Sequence, residues 1–194
     1  MKNPYKVAFL ALATLALGCS SDGDGGSSSG TCDSDITWFQ TGKYEKFKIT
    51  QFGFDAGTMK LSFGECNGDG LLSTMEFRNT ANAVTGTVEN LFWQDGAFLV
   101  NDANVDGIDF HKIYKKNAAL NDTWTETDDD GAIITHTVVD TDSLITVPAG
   151  TFHCKVYLRE KSDIANVSHI FWNDEIGQVM EDAEFMKLEL MEYN

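Results

Sequence analysis

Polar and apolar residues alternate along most of the chain after Trp38. Met59, Leu61 and Phe63 are interleaved with Lys60 and Ser62, and Met186, Leu188 and Leu190 with Lys187 and Glu189. Phe152, Cys154, Val156 and Leu158 form one apolar face, with His153, Lys155, Tyr157 and Arg159 opposite. A period of two predicts half-buried antiparallel strands. Between the runs lie turn formers: Asn67-Gly68-Asp69-Gly70, Asp95-Gly96, Asp106-Gly107, Asp130-Gly131 and Pro148-Ala149-Gly150. Apolar residues at helical spacing form no long stripe, so helices are expected only as short pieces around 76–84 and 112–120. The pattern predicts a mainly β fold: a single curved antiparallel sheet or half-barrel with one or two short helices.

The first thirty residues follow another pattern. Lys2 and Lys6 precede Val7–Leu17, an apolar run well short of the ~20 residues that span a bilayer. A basic start, a short apolar core and a small residue at its end describe a secretory leader. Leu15-Ala16-Leu17-Gly18-Cys19 resembles the lipobox of bacterial lipoproteins, although the commoner order has Leu where Ala16 stands and a small residue where Leu17 stands. The resemblance implies that residues 1–18 are a signal peptide. It also implies that Cys19 carries a thioether-linked diacylglycerol, with a palmitate-type acyl chain on the new amino group. Several buried acyl chains anchor a protein stably where one does not.

Residues 19–35, rich in Ser, Gly and Asp, then read as a lipidated tether, and 36–194 as the β-rich domain. About eleven such residues span on the order of 18 Å. Ser20 after the cysteine, rather than the Asp that retains enterobacterial lipoproteins in the inner membrane, favours the outer membrane. Asp22 and Asp24 resemble the export signals of some Bacteroidetes surface lipoproteins. The expected location is the bacterial outer membrane, lipid-anchored, with the periplasmic face and the cell surface both open.

The formal net charge is −16, and the leader contains two of the lysines. Such a charge opposes binding to nucleic-acid phosphates, so no nucleic-acid partner is expected. It is compatible with calcium or with solubility alone. Beyond Cys19 the chain has Cys32, Cys66 and Cys154. Export permits a disulfide. Cys154 sits on an apolar face as a buried free thiol, while Cys32 and Cys66 fall in loops and are the expected pair. In the chain-entropy model that bridge stabilises by ~3–4 kcal/mol.

Two stretches carry candidate metal chemistry. Glu65–Glu76 places Asn67, Asp69 and Glu76 at the third, fifth and twelfth positions of an EF-hand loop, a spacing that wraps oxygens around calcium. Glu65, however, stands where Asp is usual, and TMKLSFG before it alternates like a strand. The local reading is a β-hairpin with a Gly-rich turn, and calcium is the alternative. Asp102, Asn104 and Asp106 repeat the opening of such a loop, but its twelfth position is Ile113. The acidic run Glu126, Asp128, Asp129 and Asp130 reads as a solvated hairpin tip. No cofactor is expected otherwise.

Enzyme signatures are thin. His111, His136, His153 and His169 stand alone, and neither a Gly-x-Ser-x-Gly elbow nor a phosphate-binding glycine loop is present. The chain is not expected to be an enzyme. Trp38, Trp93, Trp124 and Trp172, with Phe39, Phe92 and Phe171, either fill the core or line an apolar concavity.

The C-terminal half has a more specific likeness. Ile113-Tyr114-Lys115-Lys116 is followed by Asn121-Asp122-Thr123-Trp124, then Val147-Pro148-Ala149-Gly150-Thr151-Phe152, Cys154-Lys155-Val156, Phe171-Trp172 and Gly177-Gln178-Val179. Over residues 112–193 this resembles uncharacterised secreted bacterial lipoproteins, which look like relatives of the half-barrel lipoprotein carriers. Their "PL-x-VG" phrase is replaced here by Asn117–Asn121, with Asn121 near the glycine position; Asn tolerates the left-handed backbone better than most residues. The resemblance implies a curved sheet whose concave face cradles an apolar chain, and it assigns no contact residue. The expected function is a membrane-anchored envelope lipoprotein, a non-catalytic binding module for an apolar ligand or an envelope protein. The alternative is a calcium-stabilised surface or structural domain.

Overall fold

The structure, a computed structural model, describes residues 32–68, 70–102, 110–163 and 167–194. Twelve strands follow in chain order: β1 (Tyr44–Gln51), β2 (Phe54–Cys66), β3 (Leu71–Arg78), β4 (Val84–Asp95), β5 (Phe98–Asn101), β6 (His111–Lys115), β7 (Thr123–Thr127), β8 (Ile133–Val147), β9 (Gly150–Lys161), β10 (Val167–Asn173), β11 (Gly177–Ala183) and β12 (Met186–Tyr193). They form one antiparallel sheet in the order β6-β5-β4-β3-β2-β1-β12-β11-β10-β9-β8-β7. Pairing of β1 with β12 joins the two halves of the chain, and the sheet curls into a nearly closed barrel with its seam between β6 and β7.

No helix occurs among the described residues, which corrects the expectation of short helices. Around 76–84, Glu76–Arg78 ends β3 and Val84 opens β4. Between them Asn79 makes the turn, its Oδ1 accepting from Ala81 and Ala83 N–H at 3.0 Å. Around 112–120, the chain completes β6 and enters a turn in which Asn117 and Asn121 adopt φ of 55° and 68°. At 76–84 the β3–β4 hairpin satisfies the backbone across strands; at 112–120 the turn bonds to other strands, Lys116 N–H donating to the Ala97 carbonyl at 2.7 Å and Asn121 N–H to the Val138 carbonyl at 2.8 Å.

Side chains staple the seam where no backbone ladder joins β6 to β7. The Lys112 N–H donates to Glu126 Oε1 at 2.8 Å, and the Lys112 carbonyl accepts from Trp124 Nε1 at 3.1 Å. Two side chains of β7 thus supply the partners that a neighbouring strand would supply to β6. Lys115 Nζ adds an ion pair with Asp122 at 2.8 Å, and Tyr157 Oη donates to the Lys115 carbonyl at 2.9 Å.

Residues 32–43 run across one end of the barrel. Cys32 and Cys66 form a disulfide with Cα atoms 5.7 Å apart. Ser34 Oγ donates to Gln94 Oε1 at 2.7 Å, Asp35 pairs with Lys116, and Thr37 Oγ1 donates to the Asp174 carbonyl at 3.2 Å. Ile36, Trp38 and Phe39 reach from this segment into a core with Phe63, Phe92, Tyr114, Tyr157 and Trp172. A second cluster gathers Phe47, Cys154, Val179, Leu188 and Leu190. It exists because two bulges in β8, between Val138 and Asp140 and between Asp140 and Ser143, bend the β8–β9 hairpin. Its tip then reaches β12, where Ala149 N–H donates to the Leu190 carbonyl at 3.0 Å.

A lumen lined by eleven strands

Between the two clusters lies a cavity of about 300 Å³. Every strand except β7 contributes to its lining, so it is the lumen of the barrel. Its wall is mostly apolar: Phe47 from β1, Met59 and Leu61 from β2, Met75 from β3, Phe92 from β4, and Ile170 and Trp172 from β10. Alternation places these side chains inward, since Phe47 opposes Met59 and Leu61 opposes Met75 in register. The volume stands at the low end of small-molecule sites, which run ≈ 300–1,000 Å³.

Polar groups also enter this wall, Asn101, Arg159, Gln178 and Glu181 among them, with Glu45 and the two histidines His111 and His136. Glu45 is 4% exposed, and its Oε1 accepts from the Gln178 N–H at 3.2 Å. Burial pushes its carboxyl up to about 8, against the small opposing effect of that hydrogen bond. Across the lumen His111 and His136 converge on Glu126. Their Nδ1 and Nε2 atoms lie 3.4 and 3.3 Å from Glu126 Oε2. Burial opposes the charge on Glu126, but hydrogen bonding from both histidines and from the Lys112 N–H outweighs it and holds the carboxyl far below its usual range. Burial pushes His136 down, against the pull of Glu126, and its ring stacks on Trp124 at 4.9 Å.

Glu126 therefore belongs to the seam, and Asp128 is buried as well, 2.7 Å from Lys161 Nζ. This corrects the reading of the acidic run as a solvated tip; of its four residues Asp129 and Asp130 are exposed. The legible signal was the period of two: Trp124, Glu126 and Asp128 share a face. Removing Glu126 takes away the acceptor of the Lys112 N–H and the carboxylate beside two buried histidines. Glu126→Ala is expected to cost about 3 kcal/mol in urea unfolding, and Asp129→Ala close to nothing.

Among the described candidate calcium residues, Asn67, Glu76 and Asp102 stand in separate local roles. Asn67 closes the β2–β3 turn, its N–H donating to the Gly70 carbonyl at 3.1 Å and its Oδ1 accepting from Gly70 N–H at 3.2 Å. Glu76 lies five residues along β3 from Leu71, roughly 17 Å away at the rise of a strand, and pairs with Arg78 at 2.6 Å. Strands flank this turn where an EF-hand has helices, which is why its twelfth position cannot fold back onto the third. Asp102 extends the β4–β5 pairing, its Oδ1 accepting from Leu91 N–H at 2.6 Å. Asp69, Asn104 and Asp106 lie outside the described residues, as does Cys19 with the leader and most of the tether. Among the described residues no group of three or more His, Cys, Asp or Glu side chains is placed to hold a metal ion.

Cys154 is a buried free thiol, which burial pushes up to about 12. Trp38, Trp124 and Trp172 are buried and Trp93 is half-buried against Phe110, with ring centroids 5.7 Å apart. Away from residues 32–43, the β1–β2 turn carries exposed Phe52 and Phe54, and the Phe52 ring lies 5.4 Å from exposed Phe185.

No family model matches the chain, and no curated protein does. Two solved structures share the fold. A protein of Bacteroides fragilis, described as exported and with a YmcC-like fold, superposes with a TM-score of 0.59 at 12% identity, over 80% of this chain and 96% of its own. One of Parabacteroides distasonis, described as a lipoprotein, gives 0.51 at 14% identity, over 83% of this chain and all of its own.

Proposed function

We propose that the protein is an outer-membrane lipoprotein, anchored through Cys19, whose barrel binds a small apolar molecule in its lumen without catalysing a reaction. The observation that carries this reading is the apolar cavity walled by eleven strands. A barrel that only had to be stable would fill that space with side chains. The lipobox-like LALGC sequence and the descriptions of the two structural neighbours as exported and as a lipoprotein support the envelope location.

Uptake of 10-bromodecanoate by the full-length protein in amphipol tests the reading. Bromine on a chain inside the lumen quenches the fluorescence of Trp38 and Trp172, which line it. Saturable quenching that decanoate reverses is expected, and replacing Trp93 by Phe should leave it intact. Quenching that rises linearly without saturation would contradict lumen binding. The exposed Phe52, Phe54 and Phe185 favour a second reading, in which the protein docks on an envelope partner.

A further inference from the structure

Three hydrogen-bond donors at the lumen are left unmatched by the chain. The indole nitrogens of Trp38 and Trp172 and the amide nitrogen of Gln178 are buried without a partner from the protein, and all three side chains line the cavity. Trp38 and Trp172 are 5% and 3% exposed, with rings 5.5 Å apart and 25° from parallel. Trp172 and Gln178 face each other across β10 and β11.

Glu45 belongs to the same group of residues. Gly177, at φ +98°, lets the Glu45 carboxyl and the Trp38 ring close over the backbone; a Cβ there would overlap Glu45 Oε1 and lie 3.1 Å from the Trp38 ring. Burial keeps the Glu45 acid neutral at pH 7, so it too offers an O–H. Buried donors are nearly always paired in folded proteins. Four of them gathered at one end of an apolar lumen ask for a partner that is rich in acceptors.

We propose that Trp38, Glu45, Trp172 and Gln178 form a head-group site for the oxygens of a carboxylic acid or ester, whose apolar tail lies along Met59, Leu61 and Met75. The inference rests on the lumen-binding reading and adds the chemistry of the ligand to it. An ammonium head is the wrong complement. It brings a charge, and no acceptor, to a group of donors.

Calorimetric titration of the full-length protein in amphipol with decanoate, methyl decanoate and decyltrimethylammonium separates the possibilities. Decanoate or its ester should bind about tenfold or more tightly than the ammonium, as two or three additional hydrogen bonds imply. Tighter binding of decanoate identifies a carboxylate head, and equal binding of acid and ester a carbonyl. Trp172→Phe keeps the ring and removes the N–H, and Gln178→Met removes the amide. Each should weaken decanoate about fivefold and leave the ammonium unchanged. If Trp172→Phe does not fold, Gln178→Met decides alone. Equal binding of all three probes, or variants that bind decanoate as the parent does, would overturn the head-group site and leave the lumen reading standing. Binding of none would overturn the lumen reading itself.

Discussion

Replacing Glu45 by Gln should raise the thermal midpoint at pH 9 by roughly 10 °C and change it little at pH 5. Glu45 is buried, its Oε1 accepts from the Gln178 N–H, and burial raises its carboxyl to about 8 from the ordinary 4.5. Between those values the folded chain holds a proton that the unfolded chain has released. Stability from this group is full below about pH 4.5 and falls as the pH rises through about 8. At ~1.4 kcal/mol per pH unit the loss over that window is on the order of 5 kcal/mol. One kcal/mol moves the midpoint of a domain this size by about 2–4 °C. Gln keeps an acceptor for the Gln178 N–H and cannot ionise, so the loss disappears.

The seam titrates in the opposite sense. His136 is held neutral and Glu126 ionised, both with lowered values, so acidification below about 6.5 protonates the unfolded chain first. Stability is therefore lost on that side as well, in the parent and in Glu45→Gln alike. The difference between the two proteins isolates Glu45. Parallel pH–midpoint curves that never diverge above pH 7 would show that the carboxyl ionises freely in the fold.

Gly57→Ala should cost about 4 kcal/mol, the largest effect expected of any glycine outside the lumen. Gly57 sits in β2 at φ +110°, opposite Ile49 and beside a bulge between Ile49 and Thr50. A Cβ there would fall well inside the Arg78 carbonyl oxygen and 2.9 Å from the Asn79 carbonyl carbon. Both are backbone atoms. They cannot retreat, because the Asn79 side chain pins the turn from Asn79 to Ala83 through two hydrogen bonds. Left-handed strain costs roughly 1–3 kcal/mol and forced overlap a similar amount. Gly53 provides the control: it has φ +82° with nothing within 4 Å of its Cβ position. Gly53→Ala should cost only about 1 kcal/mol in the same urea titration, so the gap between the two measures the clash.

The strands were legible where one face is wet. Met59, Leu61 and Phe63, and Met186, Leu188 and Leu190, alternate in sequence and lie in β2 and β12. Alternation was insufficient at the middle of β9, where both faces are buried: Cys154 and Val156 are 1% and 5% exposed, and Tyr157 on the other face is 0% exposed. Period two shows that a chain is extended, and does not show that its polar face meets water. For the same reason Glu126 passed as a solvated residue, and nothing in the pattern marked Glu45, His111 or His136 as buried. Their burial follows from curvature, and the curvature comes from bulges such as those in β8, which leave no composition signature. The short helices failed at Asn79 and Asn117, where turn residues sit between strands. The lumen was foreseen only as an apolar concavity; that eleven strands close around it depends on β1 pairing with β12, a contact between the two ends of the domain.

The central claim is that the lumen holds a small apolar molecule. A native mass spectrum of the full-length protein, purified from its membranes and released from detergent, tests it most directly beside the Met75→Trp variant, whose indole fills the cavity from β3. The parent should carry a non-covalent adduct of a small apolar molecule that denaturation removes, and the variant should lack it at an unchanged thermal midpoint. The same adduct on both proteins, or a parent that is bare and stays bare with excess decanoate, would contradict the account.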